Sequence, residues 1–486
     1  MIEQLHVPDL SDDENGVLNG LLKQLEDKSR RNLLRSAHYD GRHAERQVGG
    51  VIPPQYTNLA LVLGWAGKVV DGLGRRCNLD GMVWADGDLD ALGYQELLDS
   101  NFLLSELAQG RTDSLIHGVS YLITTQGVDD EPKALVHARD GLHATGDWNV
   151  RTRRLDSALS VTSWGDDRQV SGFNLYLPDL TISAEKDSSG WSVDRSEHSW
   201  GVPVEPLVYR PRASRRMGRS RITRPVMSLQ NAALRALIRL EVHMDTYAVP
   251  KLIFLGADES IFKNPDGSMK ASWQMVMGRA MGIPDAEAGA QDNGRAAVEQ
   301  ISAESPAPHL SQLNALAKLV AREADLPDSD FAMTDMANPT SADAYNASRE
   351  NLIAEAEGAM SDWSVPIRRT VARALAIQNG ETEIPASWAS IKPDWRSPVY
   401  LSKSQEADAG SKVVAAVPWL AETTVGLKML GLSQEQIDLA NAERRKGQVT
   451  SLVQALTANA TAATVADPQV AALAGERGNS AADSTV

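Results

Sequence analysis

Between Thr223 and Leu326 two stretches of helical periodicity enclose a segment punctuated by Gly and Pro, and this arrangement constrains the fold more than any other feature of the chain. In the first stretch apolar residues recur at Val226, Leu229, Ala233, Leu237, Leu240 and Met244, steps of three and four that mark an amphipathic helix. Thr223 suits its N-cap, and Pro225 is tolerated in the first turn. Leu234 and Ile238 lie beside the main stripe and widen it. Ending near Val249-Pro250, the helix has about 26 residues and a length of about 39 Å. The insert that follows, Lys251 to Ala307, opens with a strand (KLIFLG) and has a helix signal from Ser272 to Met281. Helix then returns through Leu310, Leu313, Leu316, Leu319 and Val320 until Leu326-Pro327 stops it. A third helical pattern starts at Ser341 and runs through Tyr345, Leu352, Ala356, Met360, Trp363, Ile367, Val371 and Leu375. It spans about 37 residues, or about 55 Å, and Pro366 inside it predicts a kink or a break.

The flanking sequence fills in the class. Ser11 and Glu14 have capping-box spacing ahead of an apolar face at Leu18, Leu21, Leu22 and Leu25. Further helices are predicted over Asn58 to Gly72 and Tyr94 to Gly118. Between Leu135 and Trp200 the period drops to two, as in Phe173, Leu175 and Leu177, with GDD, LPD and DSSG turns, so this segment is read as antiparallel strands. Residues 1–220 thus form one α+β unit. Residues 405–456 are helical, with a second capping box at Ser433 and Gln436, and the Ala-, Thr-, Ser- and Gly-rich residues 457–486 are expected to be disordered. The fold class is α+β, mostly α-helical, and 486 residues suffice for about three compact units.

Composition excludes more than it assigns. The lone Cys77 has no internal disulfide partner and the start MIEQLHVPDLSDDENG is acidic, so an intracellular product is expected. The apolar run from Leu59 to Gly67 falls well short of the roughly 20 residues of a membrane span. A net charge of −16 argues against a tight nucleic-acid binder. Searches for reaction chemistry return little. There is no GxxxxGK[ST], and Gly64-Trp-Ala-Gly67-Lys68 has neither its spacing nor its hydroxyl. HExxH, CxxC and GxSxG do not occur. Gly72-Leu-Gly74 is only a fragment of a glycine-rich loop. His137 and His143 have no third ligand in view and are read as structural. Asp328, Asp330 and Asp335 have loop spacing and are read as solvated rather than as metal ligands. Neither a cofactor nor a metal is expected.

One cluster stands out. YRPRASRRMGRSRITR, from Tyr209 to Arg224, holds seven arginines, at 210, 212, 215, 216, 219, 221 and 224, and no acid. Such a run is a solvated loop, a phosphate contact, or a set of bidentate partners for carboxylates on a neighbouring subunit, for which planar guanidinium is suited.

Several segments in order resemble tailed-bacteriophage portal proteins, of the type found in phages of actinobacterial hosts. NLLRSAHYDGRH and the helix after it are similar to the amino-terminal part of that family. RRMGRSRITRPVMSLQNAALRALIRLEVHMDTYAVPKLIFLG resembles the start of its first stem helix. SWQMVMGRAMGIP and AAVEQISAESPAPHLSQLNALAKLVAREADLP resemble the clip and the return stem helix, and TSADAYNASRENLIAEAEGAMSDW the long helix after the tunnel loop. The likeness covers roughly residues 30–400.

The resemblance implies a non-enzymatic subunit of a ring, typically of twelve, at one capsid vertex. Double-stranded DNA would pass through the channel, the terminase large subunit would dock on the ring, and a head-completion adaptor would bind the clip. The major capsid protein and scaffold would be assembly partners, with no membrane involved. Residues 1–220 and 342–404 would be wing, 221–249 and 307–325 stem, 250–306 clip, 326–341 tunnel loop and 405–456 crown. A neutral or acidic lining lets DNA slide where arginines would grip it. Asp330, Met333, Thr334, Asp335, Met336 and Asn338 are therefore expected to face the channel. Arg215, Arg216, Arg219 and Arg221 are expected at contacts between subunits. The alternatives are another self-assembling virion protein, of scaffold or baseplate type, or a metal-dependent nucleic-acid-processing enzyme acting through Asp328, Asp330 and Asp335.

Overall fold

The Ser11 hydroxyl accepts the Glu14 amide while Glu14 accepts the Ser11 amide, and this reciprocal cap starts α1, Asp12–Tyr39. Coordinates come from a computed structural model, which describes residues 4–43, 56, 61–166, 169–247, 251–255, 263–264, 266–269, 297–301, 304–331, 349–400 and 402–466. Contacts divide the chain into two units, Met1–Val399 and Tyr400–Val486.

In the first unit α1 lays Leu18, Leu21, Leu22 and Leu25 on one face of a five-stranded antiparallel meander. Its strands are β4 (Ala144–Asn149), β5 (Arg154–Trp164), β6 (Val170–Tyr176), β7 (Leu180–Asp187) and β8 (Gly190–Glu197). The period of two reads directly here: Phe173, Leu175 and Ile182 are fully buried under the helix. Glu14 also accepts two hydrogen bonds from Arg195 of β8, which hold its carboxyl down at about 2 and fasten the helix start to the sheet. The strand region is wider than the sequence reading. A second sheet, ordered β3-β2-β9, adds β2 (Val119–Gln126) before it and β9 (Val204–Val208) after it, with β3 (Ala134–Arg139) at its edge.

The helix expected from Asn58 starts later, as α2, Trp65–Gly74, because the chain from 61 to 64 is irregular up to the N-cap Gly64. The helix expected over Tyr94 to Gly118 is two, α3 (Tyr94–Ser100) and α4 (Leu103–His117). At the break Asn101 donates to the Ala134 carbonyl and accepts the Val136 amide, so it serves the edge of β3, and Phe102 takes a left-handed φ of 48°.

The outgoing helix is α5, Arg224–Tyr247, with the Thr223 hydroxyl accepting the Val226 amide at 3.4 Å. It packs along the returning helix α6, Ala307–Glu323. Leu234 and Ile238, which widen the α5 stripe, are buried within the subunit. The insert's two described strands, β10 (Lys251–Leu255) and β11 (Ala297–Ile301), pair antiparallel from Lys251↔Ile301 to Leu255↔Ala297. The helix signal from Ser272 to Met281 lies outside the described residues.

The long helix α7, Glu350–Gln378, runs through Pro366 without the break that proline allowed. Its face of Leu352, Ala356, Trp363, Ile367, Val371 and Leu375 is the spine of the main core, shared with α2, α4, α6 and the sheet β3-β2-β9. A short pair, β1 (Leu79–Trp84) with β12 (Ile391–Trp395), closes this unit. The second unit holds α8 (Lys403–Ala416), α9 (Thr424–Met429) and α10 (Gln434–Ala466). The Ser433–Gln436 cap forms as its spacing requires. Helix continues through residues 457–466, expected to lack structure, since alanine favours helix without an apolar anchor.

Candidate functional site

The arginine run folds back on the end of α4. Tyr209 donates its amide to the Gly118 carbonyl, Arg219 donates to the Tyr209 carbonyl and Arg221 to that of Leu115. Between them Arg212 and Arg215 exchange both backbone bonds. Gly218 is required at the crossing. Its φ is 67°, and a Cβ there would lie 2.4 Å from the Tyr209 carbonyl oxygen and 2.5 Å from that of Gly118.

At the end of the run Arg221 is 5% exposed and joins four elements. Its Nε donates to the Val69 carbonyl of α2 at 2.6 Å, and Nη2 to the Ala324 carbonyl beyond α6 at 2.7 Å. Nη1 donates to the Tyr209 hydroxyl at 3.1 Å and to the Glu355 carboxylate of α7. Tyr209 donates its own proton to the other Glu355 oxygen, and Arg210 approaches that oxygen at 3.3 Å. Burial opposes the charge on Arg221, and Tyr209 and Glu355 outweigh it, so the guanidinium pKa is raised. Burial, with Glu355 beside it, raises that of Tyr209 while Arg221 opposes. A buried pair with its remaining donors satisfied locates the elements around it, and loss of one partner leaves an uncompensated charge.

The run therefore divides. Arg221, expected with the others at a contact between subunits, is instead buried and pairs inside its own chain, because Glu355 reaches it from the apolar face of α7. Arg212, Arg215, Arg216, Arg219 and Arg224 are exposed. The sequence offered one signal for Glu355: a carboxylate three residues after Leu352 and eight before Trp363, on the face that otherwise reads apolar.

The loop after α6 is held at its base. Leu326 and Phe331 are buried, and Phe331 meets Trp65 edge to face at 6.1 Å. Lys68 lies over the Phe331 ring and donates to the Asp330 carbonyl at 2.9 Å. The Asp330 carboxylate accepts from Arg349 at 3.1 Å, so one ion pair spans the two ends of residues 332–348. Of the six residues expected at a channel, Asp330 is placed in this clasp. Met333, Thr334, Asp335, Met336 and Asn338 lie outside the described residues.

The remaining candidates are dispersed. Nδ1 of His143 and Oδ1 of Asp140 are 2.7 Å apart, whereas burial pushes His137 down to about 4. Asp328 is exposed. Among the described residues no three His, Cys, Asp or Glu side chains group as a metal site, and no helix is long and apolar enough to cross a membrane.

The geometry is thus a buried clasp that locates helices, with exposed arginines beside it and an ion pair tying residues 330 and 349. The sequence pattern of the family described as phage portal protein, SPP1 Gp6-like, matches residues 21–448, and the chain belongs to that family. It is 25% identical over 422 residues to the portal protein of Mycobacterium phage D29, covering 85% of this chain and 83% of that one. The portal protein of Mycobacterium phage L5 is 25% identical over 403 residues, covering 81% and 80%. Solved structures of the necks of gene transfer agent (GTA) particles share 14–15% identity over 76% of this chain and 90% of theirs, at TM-scores of 0.41 and 0.40, too low to bear on fold or function. As a member of the portal family the chain is a structural component of the virion, with a portal role in the capsid.

Proposed function

We propose that twelve copies form the ring through which double-stranded DNA enters during packaging and leaves during ejection. The terminase large subunit docks on this ring and a head-completion adaptor binds it afterwards. Assembly with the major capsid protein and scaffold takes place in the host cytoplasm, before the ring becomes part of the virion. Residues 221–249 and 307–325 are its stem, 250–306 the clip that meets terminase and adaptor, and 326–341 the tunnel loop. Residues 1–220 and 342–404 are wing and 405–456 crown. Met333, Thr334, Asp335, Met336 and Asn338 line the channel, with Asp330 at the root of the loop, and Arg215, Arg216 and Arg219 pair with carboxylates of the neighbouring copy. The observation that carries this reading is the antiparallel α5–α6 pair with the β10–β11 strand pair between its ends and a loop closed by Asp330 and Arg349 after it. A ring needs heterologous contacts, and exposed cations on an otherwise acidic chain supply one half of such a contact. Class averages of the purified protein in the electron microscope are expected to show rings with an axial hole and twelve repeats. Particles without a hole would overturn the reading.

A further inference from the structure

A cavity of 280 Å³ opens between α1, the end of α4 and the turn carrying Arg215 and Arg216. Lys28, Arg31 and Arg35 line it from α1, at spacings that put them on one side of the helix, and no carboxylate lines it. None of these five cations is in contact with a carboxylate among the described residues, and Asp27, next to Lys28, is the one acid acting on that lysine. Two polar atoms at the floor, Nε of Arg35 and Nδ1 of the buried His117, have no hydrogen-bond partner. Burial, together with Arg31, Arg215 and Arg219, pulls the Arg35 pKa down to about 10, so the lining cations repel one another.

An anion relieves that repulsion, and the surroundings indicate its source. Leu34, one turn on from Arg31, is 42% exposed. Apolar side chains beside a cationic pocket suit a protein partner better than a phosphate backbone. The chain itself carries 64 acids against 48 Lys and Arg. Asp86, Asp88 and Asp90 stand exposed in one turn and Asp129 and Asp130 in another, none of them in an ion pair among the described residues.

We propose that this cavity receives a carboxylate-bearing loop of the neighbouring copy, which rests on the ring role and adds Lys28, Arg31 and Arg35 of α1 to the exposed arginines of the junction. Arginine forks grip a carboxylate bidentately, and a cationic pocket meeting an acidic loop also sets which face of one copy meets which face of the next.

The test uses the full chain. Rings assembled from isotopically light and heavy copies are treated with carbodiimide, which condenses a touching ammonium and carboxylate to an amide and leaves as its urea. Peptide mass spectrometry is expected to find Lys28 joined to an Asp or Glu of the other isotope. Arg31→Glu with Arg216→Glu, both on exposed side chains, is expected to raise the concentration for half-assembly by about tenfold. The subunit's melting temperature should not fall, since the reversal relieves repulsion around Arg35, and Arg31→Lys with Arg216→Lys should restore assembly. Charge-reversed chains that assemble at the wild-type concentration overturn the proposal. If they also lose retention of double-stranded DNA, the cavity is a phosphate site instead. Wild-type chains that form no ring remove the ring role itself, a failure distinct from normal assembly of the variants.

Discussion

Two largely covered carboxyls carry residue-scale consequences of opposite kind. Glu355 holds Arg221 and Tyr209 from α7. Arg221→Met leaves Glu355 only the Tyr209 hydroxyl and the exposed Arg210, and is expected to lower the unfolding free energy by about 3 kcal/mol in urea titrations, whereas adding Glu355→Leu recovers most of the loss. Equal destabilisation by the single and double variants would contradict the pairing. Asp113 of α4 has no such cation. Burial raises its carboxyl to about 7, with Asp140 and Asp40 pushing the same way and His143 opposing. The folded chain thus keeps a proton that the unfolded chain releases near 3.8, so this group's contribution to stability falls as pH rises through that window and is level above it. His117, held down at about 4 by burial, works in the other direction between 4 and 6.5. Only a difference between variants separates the two. The melting-temperature gain of Asp113→Asn over wild type is expected to grow from pH 4 to 7 and then stay constant; a gain flat with pH would rule out the buried proton.

At the scale of elements, proline tolerance is set by what surrounds the helix. Pro366 removes one backbone donor from α7, yet Trp363 and Ile367, on either side of it, are fully buried in the main core. Tertiary packing therefore keeps the helix continuous through a residue that would interrupt an isolated one. Pro366→Ala is expected to raise the unfolding free energy by about 1–3 kcal/mol, measured by chemical denaturation, since it restores the missing bond without changing the buried face. The reverse case is Asn101, where propensity and period alike allow one helix and a strand edge takes the side chain instead. Periodicity alone placed α1, α5, α6 and the body of α7, while the α3–α4 break and the late start of α2 depended on partners remote in sequence.

For the whole molecule, what matters after α6 is the tie between Asp330 and Arg349. The pair brings together the two ends of residues 332–348, and closing a span of that length costs conformational entropy. If Asp335 faces the channel as proposed, Asp335→Arg introduces a cation facing phosphate at each copy. Rings are expected to assemble normally while packaged DNA, counted per capsid, falls sharply. Full packaging by Asp335→Arg rings would place Asp335 away from the channel.

The order of the elements, the strand period, two capping boxes and the segments shared with portal proteins were all legible in the amino-acid sequence, because each depends on neighbours within a few residues or on a linear pattern. Which arginines of the run stay available was not. Seven look alike in the sequence, and folding withdraws Arg221 to Glu355, 134 residues away, while Arg215 and Arg216 are left beside Lys28, Arg31 and Arg35. A charge's role depends on burial and on the nearest opposite charge, and both are properties of positions that only the packed core brings together.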